Sequence, residues 1–123
     1  MNRFTHFELP AKDIEAASKF YSSVFGWKID KWEGPIDYYT ITTGDRESPG
    51  INGGFYTPSR KLRGTINTMD VEDIDGLVEK IVENGGTIVY PKYLIPGAGW
   101  LVYAKDTQGV LFGMMEAVEP MQG

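Results

Sequence analysis

His6 is the only histidine, and the chain has no cysteine. Any triad built on a histidine base, and any histidine-ligated metal, has to run through this one imidazole. The lack of cysteine removes disulfides, thiolate nucleophiles and cysteine-bound zinc in one step. Glu8 stands two residues further on. On a strand both side chains leave the same face, where a carboxylate can tune an imidazole. His6 and Glu8 are therefore the candidates for proton transfer, and equally for hydrogen bonds to a ligand.

Asn52, Gly54 and Tyr56 alternate onto one face in the same way. Gly54 and Gly113 carry no side chain, which opens space in a wall or marks a bulge or tight packing. Tyr39 and Trp100 are flat enough to stack on a flat ligand. Asn67 is an amide with no obvious partner, and a slip in strand register is the simplest account of it. Gly50-Ile51-Asn52-Gly53-Gly54 does not open a helix, so it lacks the geometry of a phosphate loop.

Two helices must position these groups. The first runs Ile14–Phe25, capped by Asp13 and stopped by Gly26. Its expected inner face is Ile14, Ala17, Phe20, Tyr21, Val24 and Phe25. The second runs Ile74–Asn84, capped by Asp73, with Ile74, Leu77, Val78, Ile81 and Val82 inward and Gly85-Gly86 at its end. The two caps lie sixty residues apart, and so do Gly26 and Gly86. Strands are expected at Phe4–Leu9, Trp27–Trp32, Tyr38–Thr43 and Ile51–Tyr56. A second set is expected at Thr65–Val71, Thr87–Tyr90, Trp100–Lys105 and Val110–Val118. The spacing predicts an α+β chain of two βαβββ modules, residues 1–57 and 65–120, joined by a linker at 58–64.

The chain has 123 residues, 12 Lys and Arg against 17 Asp and Glu, and a net charge of −5. That is one domain with an ordinary core. The acidic balance argues against nucleic acid, and it favours a neutral or cationic ligand. The Arg60-Lys61-Leu62-Arg63 cluster reads as a solvated linker. No apolar run approaches the roughly 20 residues that span a bilayer, so no membrane partner is expected. The first residues lack a secretory apolar stretch, which points to the cytoplasm.

The tandem βαβββ arrangement resembles the vicinal oxygen chelate superfamily of glyoxalases, bleomycin-resistance proteins and extradiol dioxygenases. The resemblance is carried by His6-Phe7-Glu8-Leu9-Pro10, by Phe20-Tyr21 with Val24-Phe25-Gly26-Trp27, and by Gly50 to Gly54. It continues in Gly85 to Val89, Ile95 to Trp100 and Asp106 to Gly113. It implies one domain over residues 1–123 whose two modules form a cup for a small molecule, and a homodimer. It also implies four metal-ligand positions. His6 matches one. The others fall on Ile66, Gly54 and Gly113, which offer no ligand, so no metal and no cofactor is expected. Glu116 is turned away from the cup unless a bulge intervenes. The expectation is a cup lined by His6, Glu8, Tyr39, Asn52, Tyr56 and Trp100, with Gly54 and Gly113 making its space, holding a small apolar or aromatic ligand. The alternative is a divergent lyase, isomerase or dioxygenase-like oxidoreductase using His6 and Glu8.

Overall fold

A computed structural model of the chain describes residues 1–118. The end expected for the second module, residue 120, lies outside them. Both modules take the predicted βαβββ order. The first holds β1 (Arg3–Pro10), α1 (Ile14–Phe25), β2 (Lys28–Lys31), β3 (Tyr38–Thr42) and β4 (Asn52–Tyr56). The second holds β5 (Ile66–Asp70), α2 (Ile74–Glu83), β6 (Thr87–Ile95), β7 (Gly99–Lys105) and β8 (Leu111–Ala117). The chain divides into two compact units, Thr5–Ile66 and Met1–Phe4 with everything from Asn67 onward.

In the N-terminal unit the strands run β2-β3-β4-β1. β1 lies parallel to β4, and β3 is antiparallel to both β2 and β4. The C-terminal unit repeats this as β5-β8-β7-β6, with β5 parallel to β8 and β7 antiparallel to β8 and β6. One face of each sheet packs on its own helix. Ile14, Ile41 and Phe55 centre the first core, with Phe7, Leu9, Tyr21, Ile29 and Tyr39 against them. Val71, Ile74, Val102 and Met114 centre the second, with Leu77, Ile81, Trp100 and Phe112.

The caps work as their residue types require. The Asp13 side chain accepts from the Ala16 N–H at 3.0 Å, and Asp73 accepts from Gly76 at 3.1 Å. Gly26 closes α1 in the left-handed region, φ 72°, which a side chain would disfavour. The second helix ends at Glu83 with Asn84 as its cap and Gly85 at φ 91°.

Three expectations need correction. Phe20, Val24 and Phe25 are 55%, 57% and 59% exposed, and Val82 is 58% exposed. Ile14, Ala17 and Tyr21 already fill the sheet-facing side of α1, and a helix on a sheet has no second buried side. β6 continues to Ile95 instead of stopping at Tyr90. Its register shifts between Ile88 and Tyr90 and again between Tyr90 and Tyr93. Pro91 has no N–H to give the ladder, and an edge strand absorbs that at a bulge. Asn67 needs no register slip. It pairs with Phe112, on the helix side, and is exposed as the second residue of β5.

Replacing Asp13 by Ala should cost about 1 kcal/mol of unfolding free energy. Asp13→Ser should stay near the native value. Urea unfolding checks both, and an unchanged midpoint for Asp13→Ala would rule out the cap.

Candidate functional site

The faces of the N-terminal sheet follow from its register. His6 pairs with Asn52, Glu8 with Gly54 and Pro10 with Tyr56. Tyr38 pairs with Tyr56, and Thr40 with Gly54. Directly paired residues share a face. His6, Glu8, Tyr38, Thr40, Asn52, Gly54 and Tyr56 therefore stand on the face opposite α1. Tyr39 does not. It packs with Phe55 and Ile41 against the helix, and its neighbour Tyr38 takes the place expected for it.

Tyr38 is the centre of this face. Its hydroxyl lies 2.7 Å from His6 Nε2, and the two rings stack at 19°. The same hydroxyl is hydrogen-bonded to Glu8. Glu8 is only 6% exposed, so a carboxylate at this depth requires partners of this kind. A phenol has one proton. Donated to the Glu8 carboxylate, it leaves the Tyr38 oxygen to accept from His6 Nε2–H. The result is a chain, His6 to Tyr38 to Glu8, with its protons running toward the carboxylate.

The electrostatics follow. Burial pushes the Tyr38 phenol far above the ordinary tyrosine range, and the charge and hydrogen bond of Glu8 push it further. Tyr56 is raised to about 12, first by burial and then by the charge of Glu8. Its hydroxyl donates to the Gly64 carbonyl at 2.7 Å, which ties the linker to this wall. Both phenols thus stay neutral donors beside one carboxylate.

Gly54 does not open empty space. A Cβ there would collide with the Tyr38 hydroxyl and ring. The glycine is what lets Tyr38 lie across the sheet to reach His6. Asn52 shares the face, but its Oδ1 accepts from the Thr43 N–H at 2.8 Å and closes the β3–β4 connection.

The remaining expected residues belong to the C-terminal unit. Trp100 lies on the helix side, packed with the α2 core. The Lys92 ammonium sits 4.8 Å over its ring and pairs with Asp75 at 3.1 Å. Trp100 pairs with Glu116 in a β7–β8 ladder without a bulge. The Glu116 carboxylate accepts from the Ile74 N–H at 3.1 Å, at the start of α2. It serves that helix. Gly113, like Gly54, gives its space to a neighbour, here Thr68.

The four metal positions implied by the resemblance can now be tested. Ile66 is fully buried and apolar. Tyr38 fills the space at Gly54, and Thr68 the space at Gly113. Among the described residues, no three His, Cys, Asp or Glu side chains gather closely enough to hold an ion. The donor set does not fit a resident metal.

Comparison with known proteins agrees with this fold. The profile of the bleomycin resistance protein-like N-terminal family matches residues 3–44. A Mycobacterium tuberculosis protein named "Putative glyoxylase CFP32" is 30% identical, the match covering 89% of this chain and 44% of that protein. A Didymella fabae glyoxylase-like domain-containing protein is 27% identical over 64% of this chain and 65% of its own length. Streptomyces coelicolor methylmalonyl-CoA epimerase, solved as a variant with 2-nitronate-propionyl-CoA, superposes with a TM-score of 0.71 at 16% identity. That likeness covers 97% of this chain and 99% of the epimerase. The chain has a glyoxalase/bleomycin-resistance-like fold and resembles members of the vicinal oxygen chelate superfamily. It spans less than half the length of the mycobacterial relatives it matches. The M. tuberculosis methylmalonyl-CoA epimerase shares the fold at 16% identity, with a TM-score of 0.69 over 94% of this chain and 88% of that one. No described helix is long and apolar enough to cross a membrane.

Folded Tyr38 and Tyr56 keep their protons above pH 10.0, where free tyrosines release theirs. The native state then holds more protons than the unfolded chain. The stability these groups give is full below 10.0 and falls as the pH rises through about 12. Glu8→Gln removes the charge and should move both phenols down. A phenolate absorbance titration reads this directly, and identical curves for the two proteins would exclude the Glu8 coupling.

Proposed function

We propose that the chain binds a small molecule on the His6–Glu8–Tyr38 face, without a resident metal ion. The observation that carries this is the 2.7 Å bond from His6 to a Tyr38 hydroxyl that also holds Glu8. Polar groups that converge beside aromatic rings on one sheet face suit a small-molecule site. The ligand suited to it has a flat apolar body and one or two polar atoms. The buried carboxylate and two neutral phenols favour neutral or cationic ligands that donate hydrogen bonds. The named epimerase is seen with an acyl-CoA analogue, and that supports a small-molecule role for the fold. The lack of ligand chemistry at Ile66, Gly54 and Gly113 favours sequestration of the bleomycin-resistance kind.

One observation favours a second reading. The His6–Tyr38–Glu8 chain can pass a proton, which suits a metal-free lyase or isomerase with Glu8 as base. A dioxygenase-like reaction has no comparable support, since this wall offers no metal set. The two readings separate on His6→Ala. A hydrogen bond lost to a neutral ligand costs roughly 1–2 kcal/mol of affinity. Turnover lost with affinity kept would instead mark an enzyme.

The assembly proposed is a homodimer. Phe20, Val24 and Phe25 lie exposed along α1, and such an apolar stripe is suited to burial against a second copy. A cytoplasmic location accords with the acidic, cysteine-free composition.

Native mass spectrometry with metal analysis tests the whole proposal. The expected result is twice 13.8 kDa, a small molecule released on denaturation, and less than one equivalent of Zn²⁺, Ni²⁺, Mn²⁺ or Fe²⁺. Stoichiometric metal that survives a chelator and is lost in His6→Ala would refute the metal-free site. A monomer at high concentration would refute the dimer.

A further inference from the structure

The sequence holds two Asn-Gly pairs, Asn52-Gly53 and Asn84-Gly85. In such a pair the backbone nitrogen of the glycine can attack the asparagine side chain and close a five-membered ring. Glycine favours this because it has no Cβ to shield its nitrogen. Asn2 and Asn67 are followed by Arg3 and Thr68, whose side chains crowd that approach. The two Asn-Gly pairs are alike in sequence and differ in how the fold holds them.

Asn52 begins β4. Its Oδ1 accepts from the Thr43 N–H at 2.8 Å and from the Thr43 hydroxyl at 3.2 Å. Gly53 is buried and pairs with Phe7 of β1 on one side and Ile41 of β3 on the other. A Cβ at Gly53 would strike the Phe7 carbonyl oxygen. Turning the Gly53 nitrogen onto Asn52 Cγ therefore requires β4 to leave both neighbours.

Asn84 stands exposed at the end of α2, beside an equally exposed Gly85. Its φ of −99° and ψ of 16°, followed by φ 91° at Gly85, lead the chain out of the helix. Asn84 Nδ2 donates to the Lys80 carbonyl at 2.8 Å, and the Gly85 N–H donates to the Val82 carbonyl at 3.2 Å. Both bonds belong to one terminal turn. A helix end frays at far smaller cost than a central strand separates, and fraying here frees both reacting groups.

We propose that Asn84-Gly85 is a site of spontaneous deamidation and that the sheet protects Asn52-Gly53. The Gly85 nitrogen gives its proton to solvent hydroxide and bonds to Asn84 Cγ. The Cγ–Nδ2 bond breaks, and the nitrogen takes a proton from water and leaves as ammonia. Water then opens the ring. Attack at Cγ leaves aspartate at position 84. Attack at the backbone carbonyl breaks its bond to the Gly85 nitrogen and leaves an isoaspartyl link through the side chain. Nothing is oxidised or reduced.

Either product alters the end of α2. The donor to the Lys80 carbonyl is lost, and a carboxylate takes its place at the negative end of the helix. The isoaspartyl form also adds one carbon to the main chain. The turn has little slack for it. Gly86 donates to the Ile81 carbonyl at 2.8 Å. A Cβ on Gly86 would already lie 2.6 Å from Ile81 Cγ2 and 2.9 Å from the Lys105 carbonyl oxygen. The connection from α2 to β6 loosens as a result. The site lies outside the His6–Glu8–Tyr38 face and does not depend on it.

The full chain is aged in warm, mildly alkaline buffer, both folded and in urea, and its peptides are mapped after labelling with an isoaspartyl methyltransferase. In the folded protein Asn84 should react about tenfold faster than Asn52, or more. In urea the two should react at similar rates. The label at position 84 should vanish in Asn84→Gln. The aged protein, and Asn84→Asp made directly, should melt at a lower temperature. An intact Asn84 in the aged folded protein overturns the proposal, and so does an Asn52 that reacts as fast. A gap between the two sites that persists in urea overturns it equally, because the difference would then belong to the flanking residues and not to the fold. An unchanged melt for protein modified at position 84 overturns the effect on α2.

Discussion

A carboxylate taken out of water organises the N-terminal unit. Glu8 sits 6% exposed on a sheet face, and an unpaired buried charge there would cost several kcal/mol. The fold meets that cost with one phenol. Tyr38 has to cross from β3 over β4 to reach β1, and it can do so only because Gly54 leaves the intervening strand bare. His6 then completes the hydroxyl's hydrogen bonding from the other side. Three strands are held in one register by this arrangement, since a slip of one residue would turn every member to the helix side.

The same constraint explains which parts of the site were legible. The helices were legible almost to the residue because caps are chemical. Asp13, Asp73 and Gly26 each do one thing that few other residues do. His6 beside Glu8 was legible because alternation on one strand needs no long-range information. Glu116 falls on the face that carries α2 for the same reason, three residues past Gly113 on an unbroken strand.

What stayed hidden depended on register between strands. Tyr38 and Tyr39 are adjacent and chemically alike, and only the pairing of Tyr38 with Tyr56 decides which one faces His6. A signal did exist. Ile41 is a strong core residue, and counting back by two from it places Tyr39 on the core face. Trp100 fails similarly, because Val102 shares its side and packs in the α2 core. The glycines hid something else. A missing side chain reads as empty space, but the space at Gly54 is taken by Tyr38 from an antiparallel neighbour and the space at Gly113 by Thr68 from a parallel one.

The hydrogen-bonded wall and the metal positions that the resemblance implies compete for the same space. A glutamate side chain at position 54 would stand where the Tyr38 ring now lies, so the chain cannot have both. A ligand carboxylate at position 113 would likewise exclude the present rotamer of Thr68. The imidazole at position 6 is hydrogen-bonded to Tyr38. Restoring a metal would require rebuilding the Tyr38–Glu8 pair as well as adding ligands, because two of the ligand positions are already occupied by the groups that replaced them.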